Sequence, residues 1–391
     1  MGSIVKLFKE MDWSIVAAVI LLLVIGVLFI YSSGITSTGE LVSNEYLKQI
    51  IWASSGMLIM ILAATFDLKR VKDHFLLIYI LSVILLVFTF LFGKTVNGAR
   101  SWLGIAGEYG IQPSELMKIT TAMYLARYLD TSSHEPSSIK RFALSFSIIA
   151  LPMLLILIQP DFGTALVFIP IYLFMAYAGG INRRYLVFFV LTGALTIVFT
   201  VMPLWQRLIA DKQSFVLRVF YDKPYFYYTL GIFFTVMVLS FLGFRLFKKK
   251  YYYWAIYTTL LFLVSMSASE LGHKLLKDYQ IMRLVVFIDP SIDPLGSGWN
   301  ILQSITAIGS GGFVGKGFLK GTQSHYRYLP QQSTDFIFSI ISEEMGFLGG
   351  LLVFALFLYI LVKLSLIIKT QHSITQASFV SGMFGIIFFH F

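Results

Sequence analysis

The sequence predicts an all-α polytopic transmembrane helical bundle, and three observations carry that prediction. Of 391 residues, 57% are hydrophobic and only 13% charged, against about 45–50% and about 25% in a soluble domain. Mean hydropathy is +0.80. Unbroken apolar runs near twenty residues long recur along the chain, each long enough to cross a hydrocarbon layer as a helix. Short basic turns such as Lys140-Arg141, Arg183-Arg184 and Lys248-Lys249-Lys250 punctuate those runs. The positive-inside rule places these turns and the N-terminus in the cytoplasm. The formal charge of +10 gathers on that inner side, so topology and anionic membrane lipids account for it without a nucleic-acid partner. The chain has no cysteine, which excludes disulfides, thiolate metal sites and cysteine nucleophiles. Its six histidines lie far apart with no HxxxH pair, so a histidine metal cage is not expected.

Taken in order, the apolar runs are 13–33, 47–66, 74–92, 114–129, 142–158, 163–180, 185–204, 228–247, 252–271, 335–362 and 377–391, about eleven spans in one integral-membrane domain over 1–391. The first run lacks a small-residue cleavage site and exceeds signal-peptide length, so it reads as a retained anchor. Three outer stretches are long: about 93–113, 205–227 and 272–334. Long loops in a compact protein tend to be functional or disordered. The last is rich in Gly, Pro and apolar residues, so it is the first place to look for chemistry. The final run covers about 22 Å as a helix, short of the roughly 30 Å core. The length therefore predicts a chain that stops within a span.

Charged residues at membrane depth are costly unless paired or solvated, which makes each a site hypothesis. The fourth run opens Gln112-Pro113-Ser114-Glu115-Leu116-Met117-Lys118. Pro113 suits a first turn, Ser114 can cap, and Glu115 suits the positive end of a helix. Glu115 and Lys118 are three apart and share a face. One reading is an interfacial capping box with a snorkelling lysine. The other notes that Lys opposes the helix dipole there and wants an anion. Before it lies Asn97-Gly98-Ala99-Arg100-Ser101-Trp102. Arg binds phosphate oxygens as a fork and Lys as a point charge, so Arg100 and Lys118 could flank a diphosphate. In Gln159-Pro160-Asp161-Phe162-Gly163-Thr164 the plainer reading is a tight turn with Asp161 capping the next helix.

The large loop carries Asp289-Pro290-Ser291-Ile292-Asp293-Pro294-Leu295-Gly296-Ser297-Gly298-Trp299. Two Asp-Pro steps can simply start turns. They can equally present a carboxylate whose pKa a partly apolar surrounding raises, fit for a general base, beside an indole, Trp299, suited to stacking on a sugar. Both readings stand on the residues alone. Gly309-Ser310-Gly311-Gly312-Phe313-Val314-Gly315-Lys316-Gly317 is not a Walker A loop, because Ser310 and Gly317 break the pattern. Its amides with Lys316 could cradle a phosphate, or its glycines could serve only close backbone approach. Asp335 stands at the start of the tenth run, with Glu343 and Glu344 deeper in it. Two carboxylates about 100° apart on an apolar helix need a wet face or cations such as Arg100 or Lys118.

Taken together, Gln112-Pro113-Ser114-Glu115 with Lys118, Gln159-Pro160-Asp161 with Gly163-Thr164, Asp293-Pro294-Leu295-Gly296-Ser297-Gly298, Ala307-Ile308-Gly309-Ser310-Gly311, Gly315-Lys316-Gly317 and Thr334-Asp335-Phe336-Ile337-Phe338 with Glu343-Glu344 resemble the SEDS family (shape, elongation, division and sporulation). Within it the wording is nearer the elongation branch than the division branch, and the matches spread over about 10–390. The resemblance implies a bacterial peptidoglycan glycosyltransferase that polymerises lipid II at the outer face of the cytoplasmic membrane. It implies a class B penicillin-binding protein, a transpeptidase, as partner. The family's essential outer-loop carboxylate falls on Asp293, its helix lysine on Lys118 and its loop arginine on Arg100.

In that reading Asp293 takes a proton from the incoming sugar hydroxyl, and Arg100, Lys118 and Lys316 stabilise the departing diphosphate. Glu115, Asp161, Trp299, Asp335, Glu343 and Glu344 complete the substrate-binding set. A divalent cation, Mg or Mn, could share the diphosphate's charge, and no nucleotide is needed. Two departures stand out. An extra hairpin at 205–271 adds to the family's usual ten spans, and Gln331-Gln332-Ser333 stands where the family has Glu-X-His. A lipid II flippase and a non-catalytic scaffold for the transpeptidase are the alternative functions.

Overall fold

The computed structural model describes residues 11–65, 68–96, 99–106, 109–208, 215–276 and 278–391. The first ten residues, and Asn97 and Gly98 of the arginine loop, lie outside them. Two compact units make up the chain: Met1–Leu186 with Phe313–Leu319 and Met345–Phe391, and Val187–Gly312 with Lys320–Glu344.

The first unit opens with α1 (Trp13–Ser33), which starts where Asp12 accepts the backbone N–H of Ser14 at 3.1 Å. A charged pair then holds its base, Lys363 Nζ to Asp12 Oδ2 at 2.9 Å. Next come α2 (Glu45–Thr65) and α3 (Phe75–Phe92). A three-stranded antiparallel sheet follows, β1 (Lys94–Val96), β2 (Ala99–Ala106) and β3 (Tyr109–Ile111), in the order β1-β2-β3. Its register pairs Thr95 with Arg100 and Leu103 with Ile111. The sequence gives no warning of this sheet, because the outer strands are three residues long and show no alternation. The first long outer stretch is therefore a built platform in an otherwise helical fold.

From that sheet the chain enters α4 (Pro113–Thr131), then α5 (Ile139–Ile158) and α6 (Phe162–Ala178). The buried Arg141 at the start of α5 fastens the far ends of α4 and α6. Its guanidinium donates to Leu129 O at 2.8 Å, Gly179 O at 2.7 Å and Ser132 Oγ at 2.9 Å. A cation there meets carbonyls at the negative ends of two helices, which is where the dipole favours it.

In the second unit, α7 (Arg183–Leu208), α8 (Lys223–Phe247) and α9 (Lys250–Leu275) run in sequence. Lys248 adopts the left-handed conformation, φ 52°, that ends α8 and lets the chain turn into α9. Phe199, Phe226 and Met266 form the buried centre of this group. The long stretch 272–334 is mostly ordered structure: α10 (Asp278–Ile288), a short turn of helix at Pro290–Ile292, α11 (Trp299–Ser310) and a single turn at Thr322–His325. The chain closes with α12 (Ile337–Thr370), broken at Gly346 (φ 65°), and α13 (Ile374–His390).

Each expected run overlaps a helix among the described residues, with residue 66 outside them, and the run 114–129 falls on α4, which is not among the helices apolar enough to cross a membrane. Among the described residues, eight helices are long and apolar enough to cross a membrane, and Phe162–Ala178 and Ile374–His390 are shorter apolar helices. This is a multi-pass helical membrane protein.

Candidate functional site

The Asp293 turn is shaped by its glycines. The Asp293 backbone carbonyl accepts the N–H of Gly298 at 2.9 Å and that of Gly296 at 3.3 Å, while Asp293 Oδ2 accepts the N–H of Ser297 at 2.7 Å. A Cβ on Gly296 would run into the Asp293 carboxylate, and one on Gly298 into the carbonyls of Pro290 and Asp293. The Asp-Pro-Leu-Gly-Ser-Gly spacing is thus the spacing of a loop that folds back onto its own aspartate. Asp293 is half-buried, and its Oδ1 accepts no hydrogen bond among the described residues. One oxygen is anchored and the other is open. Trp299 follows at the first position of α11, half-buried.

Asp289, the other acid of the loop, is bound into the turn before it. It accepts the Ser291 hydroxyl at 2.5 Å and the Ser291 N–H at 3.0 Å. These bonds, the hydroxyl's first, hold its carboxyl below the usual carboxylate range. The raised pKa expected for an acid in this loop does not apply to Asp289, because donors surround its charged form.

Glu343 and Glu344 are 0% and 1% exposed. Glu343 closes around the single helical turn at Thr322–His325. Its Oε1 accepts Thr322 N at 2.7 Å, Gln323 N at 2.9 Å and Thr322 Oγ1 at 3.0 Å, and its Oε2 accepts Ser324 N at 3.3 Å. Amides at the start of a helical turn donate directly to this buried carboxylate. Glu344 Oε1 lies 3.4 Å from His325 Nε2, itself buried. His325 and the hydroxyls at Thr322 and Ser324 were missed by sequence reasoning, since nothing near them resembles a site. Gly311 is held against the backbone of Ser342 and Glu343, where a Cβ has no room. Asp335 is exposed and makes no hydrogen bond among the described residues.

In the first unit, Lys118 is 2% exposed on α4. Its Nζ lies 2.7 Å from Glu115 Oε2, whose side chain is 55% exposed, and 3.2 Å from His390 Nε2 on α13. The expected Glu115–Lys118 pair forms; the histidine was not foreseen. Ser114 does not cap the helix. Pro113 is already the first helical residue, so Gln112 holds the cap position, while the Ser114 hydroxyl is buried without a partner among the described residues.

Arg100 stands exposed on β2, its Nε donating to Gly93 O at 2.9 Å. Its remaining guanidinium N–H groups make no hydrogen bond among the described residues. Asp161 caps α6, accepting Thr164 N at 3.2 Å through Oδ1 and Gln112 Nε2 at 2.7 Å through Oδ2. Both of its oxygens serve the joint between α4 and α6. The glycines around Lys316 serve close approach. Gly312, Gly315 and Gly317 all have positive φ, and a Cβ at Gly346 in the break of α12 would strike Gly315 N and the Phe313 carbonyl.

The family profile described as cell cycle protein, which groups FtsW, RodA and SpoVE, matches residues 12–224 and 227–391. The chain belongs to this family. It is 45% identical over 386 residues to the peptidoglycan glycosyltransferase RodA of Treponema pallidum (strain Nichols), covering 98% of this chain and 88% of that protein. The peptidoglycan glycosyltransferase MrdB of Escherichia coli (strain K12) is 28% identical over 354 residues, covering 90% and 75%. A chain of a peptidoglycan synthase complex, solved in a study of the coordination of polymerization and crosslinking, superposes with a TM-score of 0.59 at 21% identity, covering 96% of this chain and 84% of that one. At that identity the likeness speaks for the fold. The chain is thus a RodA-like SEDS protein, as its motifs indicated.

Proposed function

We propose that this SEDS protein is a peptidoglycan glycosyltransferase that polymerises lipid II at the outer face of the cytoplasmic membrane, with its N-terminus inside. The observation that carries the reading is the 45% identity, across 98% of the chain, to the peptidoglycan glycosyltransferase RodA of Treponema pallidum. Supporting it is a motif aspartate held by a dedicated glycine turn with one oxygen open.

In the reaction, the open Asp293 oxygen takes the proton of the 4-hydroxyl on the incoming sugar. The sugar's 4-oxygen, so deprotonated, attacks the anomeric carbon of the growing strand, the bond to phosphate breaks, and the lipid diphosphate leaves with the electron pair. Lys118 and Arg100 answer the charge on the leaving group, which is the largest change in the reaction. Trp299 offers an aromatic face to a sugar ring. Lys316 is a further cation of the diphosphate set.

Among the described residues no three His, Asp or Glu side chains group closely enough to hold a metal ion. Magnesium often binds through one or two carboxylates and substrate phosphates instead. When bound, the cation would offset charge on the diphosphate. The partner is a class B penicillin-binding protein that crosslinks the strand.

The test is incubation of the purified protein and its transpeptidase with lipid II in detergent, followed by separation of glycan strands. Polymer that grows with time is the expected result. Lipid II that crosses a vesicle membrane with no polymer formed would establish the flippase reading in its place.

A further inference from the structure

The two helices on either side of the Asp293 turn are apolar beyond the faces they bury. In α10, Ile281, Val285 and Val286 are buried. Leu284, Phe287 and Ile288, at the i, i+3, i+4 spacing of one helix face, are exposed, Phe287 to 81%. A helix at a water surface carries polar residues on the side turned from its core. In α11, Ala307 is buried while Ile305 and Ile308 are exposed. Between the helices, Leu295 of the turn itself is 87% exposed. Among the described residues, Leu295 and Phe287 are the most exposed large apolar side chains. The short turn of helix at Pro290–Ile292 packs against both α10 and α11, so the Asp293 turn and its two helices form one contiguous piece.

The route of the chain brings a bilayer to this surface. α9 has 26 residues and is apolar enough to cross a membrane. A helix of that length runs about 39 Å, close to the roughly 40–45 Å of a bilayer with its headgroups, so Leu275 at its end lies at an interface. α10 begins at Asp278, and three Cα steps reach at most about 11 Å. It therefore starts in the headgroup layer or beside it. A helix there with an exposed apolar face lies in the plane of the interface, that face among the acyl chains. Arg283, one turn before Phe287, is also exposed; its stem can run along the apolar layer while its guanidinium reaches the phosphates. Trp299 opens α11, and tryptophan is a residue that membrane interfaces favour.

We propose that α10 and Leu295 sit in the outer leaflet, and that the bilayer thereby sets the depth of Asp293. The insertion stands on the apolar surface and the chain's route. Its bearing on the reaction rests on the reading of Asp293 as the base: a base held at the headgroup layer meets a lipid-linked sugar at the height of its diphosphate.

The chain has no cysteine, so a single introduced cysteine carries a nitroxide label at one place only. Five full-chain variants at exposed positions are labelled: Phe287→Cys, Leu295→Cys, Ser297→Cys, Phe234→Cys midway along α8, and Glu135→Cys between α4 and α5. In vesicles of phosphatidylethanolamine and phosphatidylglycerol, the relaxation of each label by oxygen and by a water-soluble nickel chelate gives its depth, and thermal midpoints check folding. The labels at 287 and 295 are expected about 5–10 Å into the boundary between headgroups and acyl chains. Phe234→Cys should report about 15 Å, half the hydrocarbon thickness, Ser297→Cys the headgroup layer, and Glu135→Cys water. Labels at 287 and 295 as open to the chelate as that at Glu135→Cys overturn the insertion. Should added transpeptidase then close them to it, the face belongs to the partner protein. Labels at 287 and 295 in the acyl layer with Ser297→Cys in bulk water overturn the setting of depth alone. No glycan is made in this experiment, so a failure of Asp293 as base would leave every depth unchanged.

Discussion

Lys118 Nζ stands 3.2 Å from His390 Nε2, joining two helices across 272 residues of sequence. The contact shows how this fold handles charge inside an apolar protein. Lys118 is met by a carboxylate and an imidazole, Arg141 by helix-end carbonyls, and Glu343 by amides of a single helical turn. Each buried charge has an answer built from neighbouring elements, as the cost of an unpaired one demands. These answers yield predictions that are independent of one another.

Gly296→Ala should be nearly as inactive as a change of Asp293 itself. The added methyl would occupy the space of the Asp293 carboxylate, and a misplacement near 1 Å costs about 10²-fold in rate. Initial rates of glycan formation, with the thermal midpoint as control for folding, measure this.

Glu343→Ala should lower stability by roughly 2–4 kcal/mol, since it strands several buried donors of Thr322, Gln323 and Ser324 at once. Glu343→Gln, which retains one acceptor oxygen, should lose less. Thermal midpoints in a fixed detergent compare the two. A midpoint unchanged in Glu343→Ala would mean that the carboxylate does not hold the Thr322–His325 turn.

Arg141→Lys should cost about 1.5–3 kcal/mol even though it preserves the charge. The guanidinium bonds Leu129 O, Gly179 O and Ser132 Oγ together, and an ammonium cannot span that fork. Arg141→Ala should cost more. Urea or thermal unfolding of the three proteins ranks them.

Asp12 should titrate near pH 2. The Ser14 hydroxyl first, and then Lys363, favour its ionised form and lower its carboxyl from 3.8 to about 2. A folded-state pKa below the unfolded value stabilises the fold above the unfolded pKa. That contribution is lost as pH falls through the folded value. The difference in midpoint between wild type and Asp12→Asn should therefore be present above about pH 4 and shrink between about pH 4 and pH 2.

The helices were legible because hydropathy is a local signal: the apolar run of Trp13–Ser33 declares itself within its own residues. Asp161 as a helix cap was legible for the same reason, as was the turn of Asp293. What could not be read were contacts closed by the tertiary fold. Glu343 and Glu344 stand in an apolar run with no local partner, and only the folded chain brings Thr322–His325 to them. His390 carries no motif, and its nearness to Lys118 follows from the packing of α13. The small sheet around Arg100 escaped because its pairing is short and irregular. Ser114 misled for a simpler reason: a proline at the first helical position moves the cap one residue back.

Glycan synthesis from lipid II by the purified protein with its transpeptidase, compared between wild type and Asp293→Asn, tests whether Asp293 is the base. The variant should bind its partner and melt as the wild type does, yet make no detectable polymer. Polymer formed at the wild-type rate by Asp293→Asn would contradict it.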